Sequence, residues 1–141
     1  DLVRWMIELA AGDLAPLSAL AKDLNPSGHA VQARLYAEDP GRDFQPSPGL
    51  LTAVNFPESD RKSLRIDTWV EAGCEIPPYF DPMIAKLITY APTREAAHAA
   101  LDQALADTLL YGVETNRDYL RQILAYAPFA EGNPWTRCLE G

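Results

Sequence analysis

The sequence predicts an α+β domain: a mainly antiparallel sheet with flanking helices. Three observations predict it. A helical pattern opens the chain, several strand-like segments follow, and two helical segments close it, so strands and helices are not interleaved as a parallel sheet requires. Residues 30–37 and 64–70 alternate apolar and polar side chains, the period of a strand with one buried face. Residues 93–110 repeat apolar side chains at helical spacing instead.

Each element follows from its residues. In residues 1–11, Val3, Met6, Ile7 and Ala10 form the stripe of an amphipathic helix, and Gly12 is its stop. Residues 13–27, with Pro16, Pro26 and Ser27, read as loop. In the next strand Val31, Ala33, Leu35 and Ala37 point one way, and Gln32, Arg34 and Tyr36 the other. A proline-rich crossing over 38–49 leads to a second strand at 50–56, and 57–62 is a polar turn. A third strand sets Leu64, Ile66, Thr68 and Val70 against Arg65, Asp67, Trp69 and Glu71, before Gly73 and Pro77-Pro78 break it. Residues 83–90 form a fourth.

Thr93 caps a helix to about residue 110, whose buried stripe is Ala97, Ala100, Leu101, Ala104, Leu105 and Thr108. Thr115-Asn116-Arg117-Asp118 resembles a capping box, opening a helix over 116–126 that carries Leu120, Ile123 and Leu124 inward and ends before Pro128. The four strands are expected in one sheet, with both helices on its apolar face. Val31, Leu35, Ile66, Leu87, Leu101, Leu105 and Ile123 are expected to be buried.

A chain of 141 residues and 15.5 kDa is long enough for one domain with its own core. With 48% hydrophobic and 23% charged residues, extended disorder is excluded. Twelve basic residues against 20 acidic ones leave a formal charge of −8. Such a surface repels phosphate backbones and anionic lipid, so neither nucleic acid nor membrane is an expected partner. No apolar run nears the roughly 18 residues of a membrane span, and no signal-peptide pattern is present. Cys74 and Cys138 lie far apart and suit neither a disulfide framework nor a metal site, so a reducing cytoplasm is expected. His29 and His98 add no ligand spacing, and no metal site is expected in this chain. Neither phosphate-binding glycine signature occurs. Residue 1 is not methionine and the chain opens inside a helical pattern, which predicts a piece of a longer protein.

Few residues carry a chemical signal on pattern alone. Arg34 sits mid-strand on the polar face, where a guanidinium can hold an oxyanion in a fixed fork. The commoner reading is a solvated strand arginine, or one paired to Glu38 or Asp39. Asp81, in the stiff turn Pro77-Pro78-Tyr79-Phe80-Asp81-Pro82, either orients an arginine or satisfies its own turn. Lys86 interrupts an apolar run, marking a wet strand face or pairing with an acid. His29 has no nearby group to orient it as a base, and no nucleophile triad can be read.

Longer motifs carry a resemblance. The run from Gly28-His29-Ala30-Val31-Gln32-Ala33-Arg34 to Glu38-Asp39-Pro40 resembles a signature segment of biotin carboxylases, and Pro46-Ser47-Pro48-Gly49 matches the motif that follows it there. Tyr79-Phe80-Asp81-Pro82-Met83-Ile84-Ala85-Lys86-Leu87-Ile88 and Gly112-Val113-Glu114-Thr115-Asn116 resemble two more of that family's segments, in the same order. The chain is identified as a resemblance to the biotin carboxylase C-terminal domain: residues 1–12 would end a helix linking from an upstream ATP-grasp region, and 13–141 would be the domain itself. Arg65-Ile66-Asp67-Thr68-Trp69-Val70-Glu71-Ala72-Gly73 and Tyr111 to Leu120 are most similar to urea carboxylases, while Pro77-Pro78-Tyr79 is as typical of acyl-CoA carboxylases.

The resemblance implies ATP- and bicarbonate-dependent carboxylation of biotin N1, with magnesium supporting phosphoryl transfer. It puts Arg34 on the family's catalytic arginine, Asp81 beside that site in a supporting role, and Thr136 at the ATP adenine. Arg65 matches an arginine near the dimer interface of bacterial relatives. The main ATP and magnesium ligands and the general base would lie upstream, leaving this fragment inactive alone. Implied partners are the ATP-grasp region, a biotin carboxyl carrier domain, a carboxyltransferase domain and bicarbonate. Two other readings stay open: a biotin carboxylase domain of an acyl-CoA or pyruvate carboxylase, and a non-catalytic module that docks neighbouring domains through its acidic surface.

Overall fold

A computed structural model describes residues 2–22 and 24–139. Asp1 and the last two residues of the expected domain lie outside the described residues. Helix α1 (Leu2–Ala11) is the expected opening helix, and it stops at Gly12, whose φ of 80° a side chain would resist. None of its residues is buried. The expected loop over 13–27 contains a short helix, α2 (Leu17–Ala21). Pro16 starts it, and its carbonyl accepts from Ala19 and Leu20 N–H at 2.9 and 3.2 Å. The following Leu-Ser-Ala-Leu-Ala has the propensity to complete one turn.

Strand β1 (His29–Tyr36) shows the expected alternation, with Val31, Ala33 and Leu35 buried. The crossing folds into β2 (Glu38–Asp39), a 3-10 turn at Pro40–Arg42 and β3 (Gln45–Pro46), which pairs back on β2. The single strand expected at 50–56 is instead two fragments, β4 (Gly49–Leu50) and β5 (Ala53–Asn55). Then come β6 (Leu64–Thr68), β7 (Glu75–Ile76) and β8 (Met83–Ala91). Asp60 shapes the turn before β6, accepting from Lys62, Ser63 and Leu64 N–H at 2.8, 2.8 and 3.0 Å.

Helix α3 (Arg94–Asp107) begins at Thr93, whose Oγ1 accepts from Ala96 N–H at 3.2 Å. It ends earlier than expected, and β9 (Leu109–Tyr111) follows in place of its last turn. The cause lies at Thr108, which is fully buried, extended in backbone, and donates its hydroxyl to the Ala104 carbonyl at 2.8 Å. Helix α4 (Arg117–Ala125) and the short α5 (Ala127–Ala130) complete the chain. The capping box does not close: Asp118 turns to Arg117 Nε at 2.9 Å instead of back to the chain, and Thr115 Oγ1 accepts from Arg117 N–H at 3.4 Å.

Every strand pair is antiparallel. The main sheet has the order β1-β8-β6. The 50–56 segment does not join it: β4 pairs with β7, and β5 with β9. Gly112 makes that arrangement possible. Its φ is 110°, and a Cβ there would stand 1.9 Å from the Leu50 carbonyl oxygen. Only a glycine lets the two backbones approach so closely.

The core lies between the sheet and α3. Val31, Leu35 and Leu87 from the sheet meet Leu101 and Leu105 from the helix, all buried as expected. Thr89, fully buried, ties β8 to α3 by donating to the Ala97 carbonyl at 2.7 Å. Ile66 is only half-buried because β6 is an outer strand. Ile123 is half-buried too and faces Cys138 and Leu139 of the C-terminal tail. Ala100, expected in the helix stripe, is exposed; α3 buries Ala97, Leu101, Ala104 and Leu105 alone. No helix among the described residues is long and apolar enough to cross a membrane.

Candidate active-site face

Covering one side of the sheet with α3 leaves the other side for polar chemistry. Residues directly opposite in an antiparallel ladder share a face. Arg34 stands opposite Lys86, and Lys86 opposite Asp67. Gln32 and Arg65 flank Ile88 two pairs further along, on the same face. The polar face is therefore a row across three strands: Arg34, Lys86, Asp67, with Arg65 beside the last.

The charges on this face pair unequally. Asp67 receives Arg65 Nε at 2.9 Å and Lys86 Nζ at 3.5 Å. The Arg65 hydrogen bond, followed by the charges of Arg65 and Lys86, holds the Asp67 carboxyl below the usual carboxylate range. Lys86 is thus the paired lysine of its two alternatives. Arg34 is exposed, and among the described residues no carboxylate or carbonyl takes its guanidinium. The pairings with Glu38 or Asp39 that its sequence neighbours allowed are not made. Asp39 accepts from Gly41 N–H at 2.8 Å and lies 3.7 Å from Arg42. Glu38 is half-buried, and burial first, then the Asp81 charge, pushes its carboxyl up.

The Arg34 backbone is held from both sides. Strand β8 supplies one ladder. On the open edge, Asn116 Nδ2 donates to the Arg34 carbonyl at 3.2 Å, and Asn116 Oδ1 accepts from Tyr36 N–H at 2.9 Å. A guanidinium that is exposed, unpaired and mounted on a fixed strand can receive an anionic oxygen in a planar fork.

The other predicted site residues lie apart from this row. Asp81 is exposed and accepts from Met83 N–H at 2.9 Å, which closes its own turn at the start of β8, near Glu38. Thr136 is exposed in a turn of the C-terminal tail. His29 begins β1, five pairs from Arg34, opposite Ala91. A cavity of about 550 Å³ lies in the helical layer between α3 and α4, lined by His98, Asp102, Arg121 and Leu124 among others. It does not reach Arg34. Among the described residues no group of three or more His, Cys, Asp or Glu side chains is arranged to hold a metal ion.

Sequence reasoning did not anticipate the roles of Asp67 and Asn116. The alternation of β6 already put Asp67 on the polar face, but its pairing with Lys86 needs the strand register. Asn116 was legible as part of a helix start and of a shared motif, but not as a partner of β1.

The chain is thus an α+β domain whose sheet is covered by a helix on one face and carries Arg34, Lys86, Asp67 and Arg65 on the other. This chain belongs to the biotin carboxylase C-terminal domain family, whose model matches residues 32–141. Urea amidolyase of Saccharomyces cerevisiae is 43% identical over 139 residues, covering 99% of this chain and 7% of the relative. The crystal structure of the Kluyveromyces lactis urea carboxylase superposes with a TM-score of 0.89 at 42% identity, covering 100% of this chain and 12% of that one. The biotin carboxylase domain of the Hydrogenobacter thermophilus 2-oxoglutarate carboxylase, a dimer in complex with MgADP, ADP and bicarbonate, gives 0.89 at 35% identity, covering 99% and 30%. This chain therefore spans a small part of each of these relatives, and the identities are higher to the two urea-processing proteins.

Proposed function

We propose that this chain is the C-terminal domain of the biotin carboxylase region of a urea carboxylase, within a urea amidolyase. Residues 1–12 end the helix that links from an upstream ATP-grasp region, and 13–141 form the domain. Its contribution to the reaction is Arg34. Biotin supplies the ureido nitrogen that takes the carboxyl group, and ATP with magnesium activates bicarbonate for that transfer. With biotin bound, Arg34 would hold negative charge at its ureido oxygen. A guanidinium already fixed by a strand needs little reorganisation when that charge appears, and its fork matches the oxygen better than an ammonium does.

The single observation that supports this reading best is the unequal pairing on the sheet face. Asp67 takes Lys86 and Arg65, and among the described residues the Arg34 guanidinium has no partner. An unpaired guanidinium fits an anionic oxygen from a ligand. Asp81, beside Glu38, supports the rim of the same face, and Thr136 contacts the adenine. The chain itself does not supply the base or the main ATP and magnesium ligands, so it is inactive alone. A biotin carboxyl carrier domain and a carboxyltransferase domain complete the cycle, in the cytoplasm.

The whole carboxylase tests this. Bicarbonate-dependent ADP release should be stimulated by urea and not by an acyl-CoA or pyruvate. Stimulation by either of the latter would move the assignment to another carboxylase. Biotin-dependent ADP release by the 141-residue chain alone would show that the division of labour is wrong.

A further inference from the structure

We propose that Asn116 is a positioning residue for Arg34 and acts as the neighbouring strand that β1 lacks. Strand β1 is an outer strand of the sheet, with β8 on one side only. On its open side, residues 34 and 36 point their peptide groups away from β8. Asn116 meets them with three hydrogen bonds. Its Nδ2 donates to the Arg34 carbonyl at 3.2 Å, its Oδ1 accepts from Tyr36 N–H at 2.9 Å, and its backbone N–H donates to the Tyr36 carbonyl at 3.2 Å. A primary amide carries one carbonyl and N–H donors, so it reproduces what a peptide unit would offer at that place. Asn116 is 7% exposed, which keeps water from competing for these bonds.

Asparagine at a helix start ordinarily caps it by accepting from an amide one turn in. Asn116 is the N-cap of α4, yet its side chain makes no capping bond. The side chain is committed to β1 instead. The two side-chain bonds fall on the peptide groups either side of Leu35, which is fully buried. They fix the backbone that carries Arg34. This matters because the guanidinium has no partner of its own among the described residues, so the strand is what places the base of its side chain. Docking α4 on the sheet would explain a contact, but an apolar side chain would serve for that without a buried polar group, which costs stability unless fully bonded.

The inference rests on the proposed role of Arg34, and the experiment separates the two. Turnover and the ATP KM are measured in the whole carboxylase for Asn116→Ala, Arg34→Ala and the double variant, each checked for folding by circular dichroism. Asn116→Ala should lower kcat by at least about tenfold with the ATP KM held within about twofold, the cost of a misplaced group. The double variant should be no slower than Arg34→Ala, because a positioning residue has nothing left to position. Losses that multiply in the double variant would overturn the inference, as would an unchanged kcat for Asn116→Ala. Arg34→Ala at wild-type rate would sink the Arg34 reading itself, and the inference with it. If Asn116→Ala does not fold, Asn116→Asp replaces it. That variant keeps the acceptor for Tyr36 N–H and loses the donor to Arg34, and the same comparison with its own double variant decides the outcome.

Discussion

Lys86 faces Arg34 across the β1–β8 ladder, and its ammonium lies 3.5 Å from Asp67 on the other side. Two cations are therefore neighbours on one sheet face, and a single carboxylate neutralises the one that is not proposed to act. Asp67 draws Lys86 towards β6 and away from Arg34. The arrangement lowers like-charge crowding at Arg34 while leaving its fork free.

Arg34→Lys should separate catalysis from stability. In the whole carboxylase kcat should fall by about 10²–10³, equivalent to ~3–4 kcal/mol for one lost oxyanion donor. The ATP KM should change little. Thermal melting of the 141-residue chain should shift by no more than about 0.5 kcal/mol, because the side chain is exposed and unpaired. Unfolding of that chain would make Arg34 a structural residue.

Asp67→Asn should weaken the fold modestly, by less than about 1 kcal/mol at neutral pH, since the pairs it makes are partly exposed. The Asp67 carboxyl is held low by Arg65. Its contribution is therefore present above the ordinary Asp pKa and lost as pH falls through the lower folded value. Melts of wild type and variant should differ at pH 7, converge in strong acid, and draw together in high salt. A difference that grows in acid would contradict the pairing.

Glu38→Gln should act with the opposite sign. Burial and the Asp81 charge raise the Glu38 carboxyl, so the folded state holds the proton better than the unfolded chain. Stability from this group is full below the ordinary Glu pKa and is lost as pH rises through the raised value. The variant should be more stable than wild type at pH 7, by less than about 1 kcal/mol at this partly exposed site, with no gain at low pH. Asp81→Asn should recover part of the same gain. Denaturant midpoints at the two pH values measure both.

Gly112→Ala should disrupt the β5–β9 pair. The backbone conformation costs about 1–3 kcal/mol for a side chain. The added Cβ would also stand 1.9 Å from the Leu50 carbonyl oxygen, so that strand must move. Faster amide exchange at Thr52, whose N–H donates to Tyr111, should accompany the loss in melting temperature. An unchanged exchange rate would show that the close approach is dispensable.

The long elements were legible because a periodic pattern reports which side of a segment is buried. Eight residues of β1 and fourteen of α3 repeat it often enough to be read without a partner. The fragments of two or three residues, β4, β5, β7 and β9, are too short to show any period. They exist because residues far apart in sequence meet: Val54 pairs with Leu110, and Gly49 with Ile76. That is why 50–56 reads as one strand and 109–111 as the end of a helix until the chain is folded.

The same division holds at the candidate site. Residue order alone determined that Arg34 lies on the polar side of β1, that Asp67 and Lys86 lie on the polar sides of their strands, and, through shared motifs, which family the chain resembles. Only the tertiary structure decided which acid serves which cation and what covers the open edge of β1. Strand register placed Asp67 against Lys86 and left Arg34 unpaired among the described residues. Packing of α4 turned Asn116 from a helix cap into an edge partner of β1, 82 residues from Arg34. Alternation fixes the face of a side chain because it is a property of the local backbone, whereas a hydrogen-bond partner is chosen among all groups that folding brings within about 3 Å.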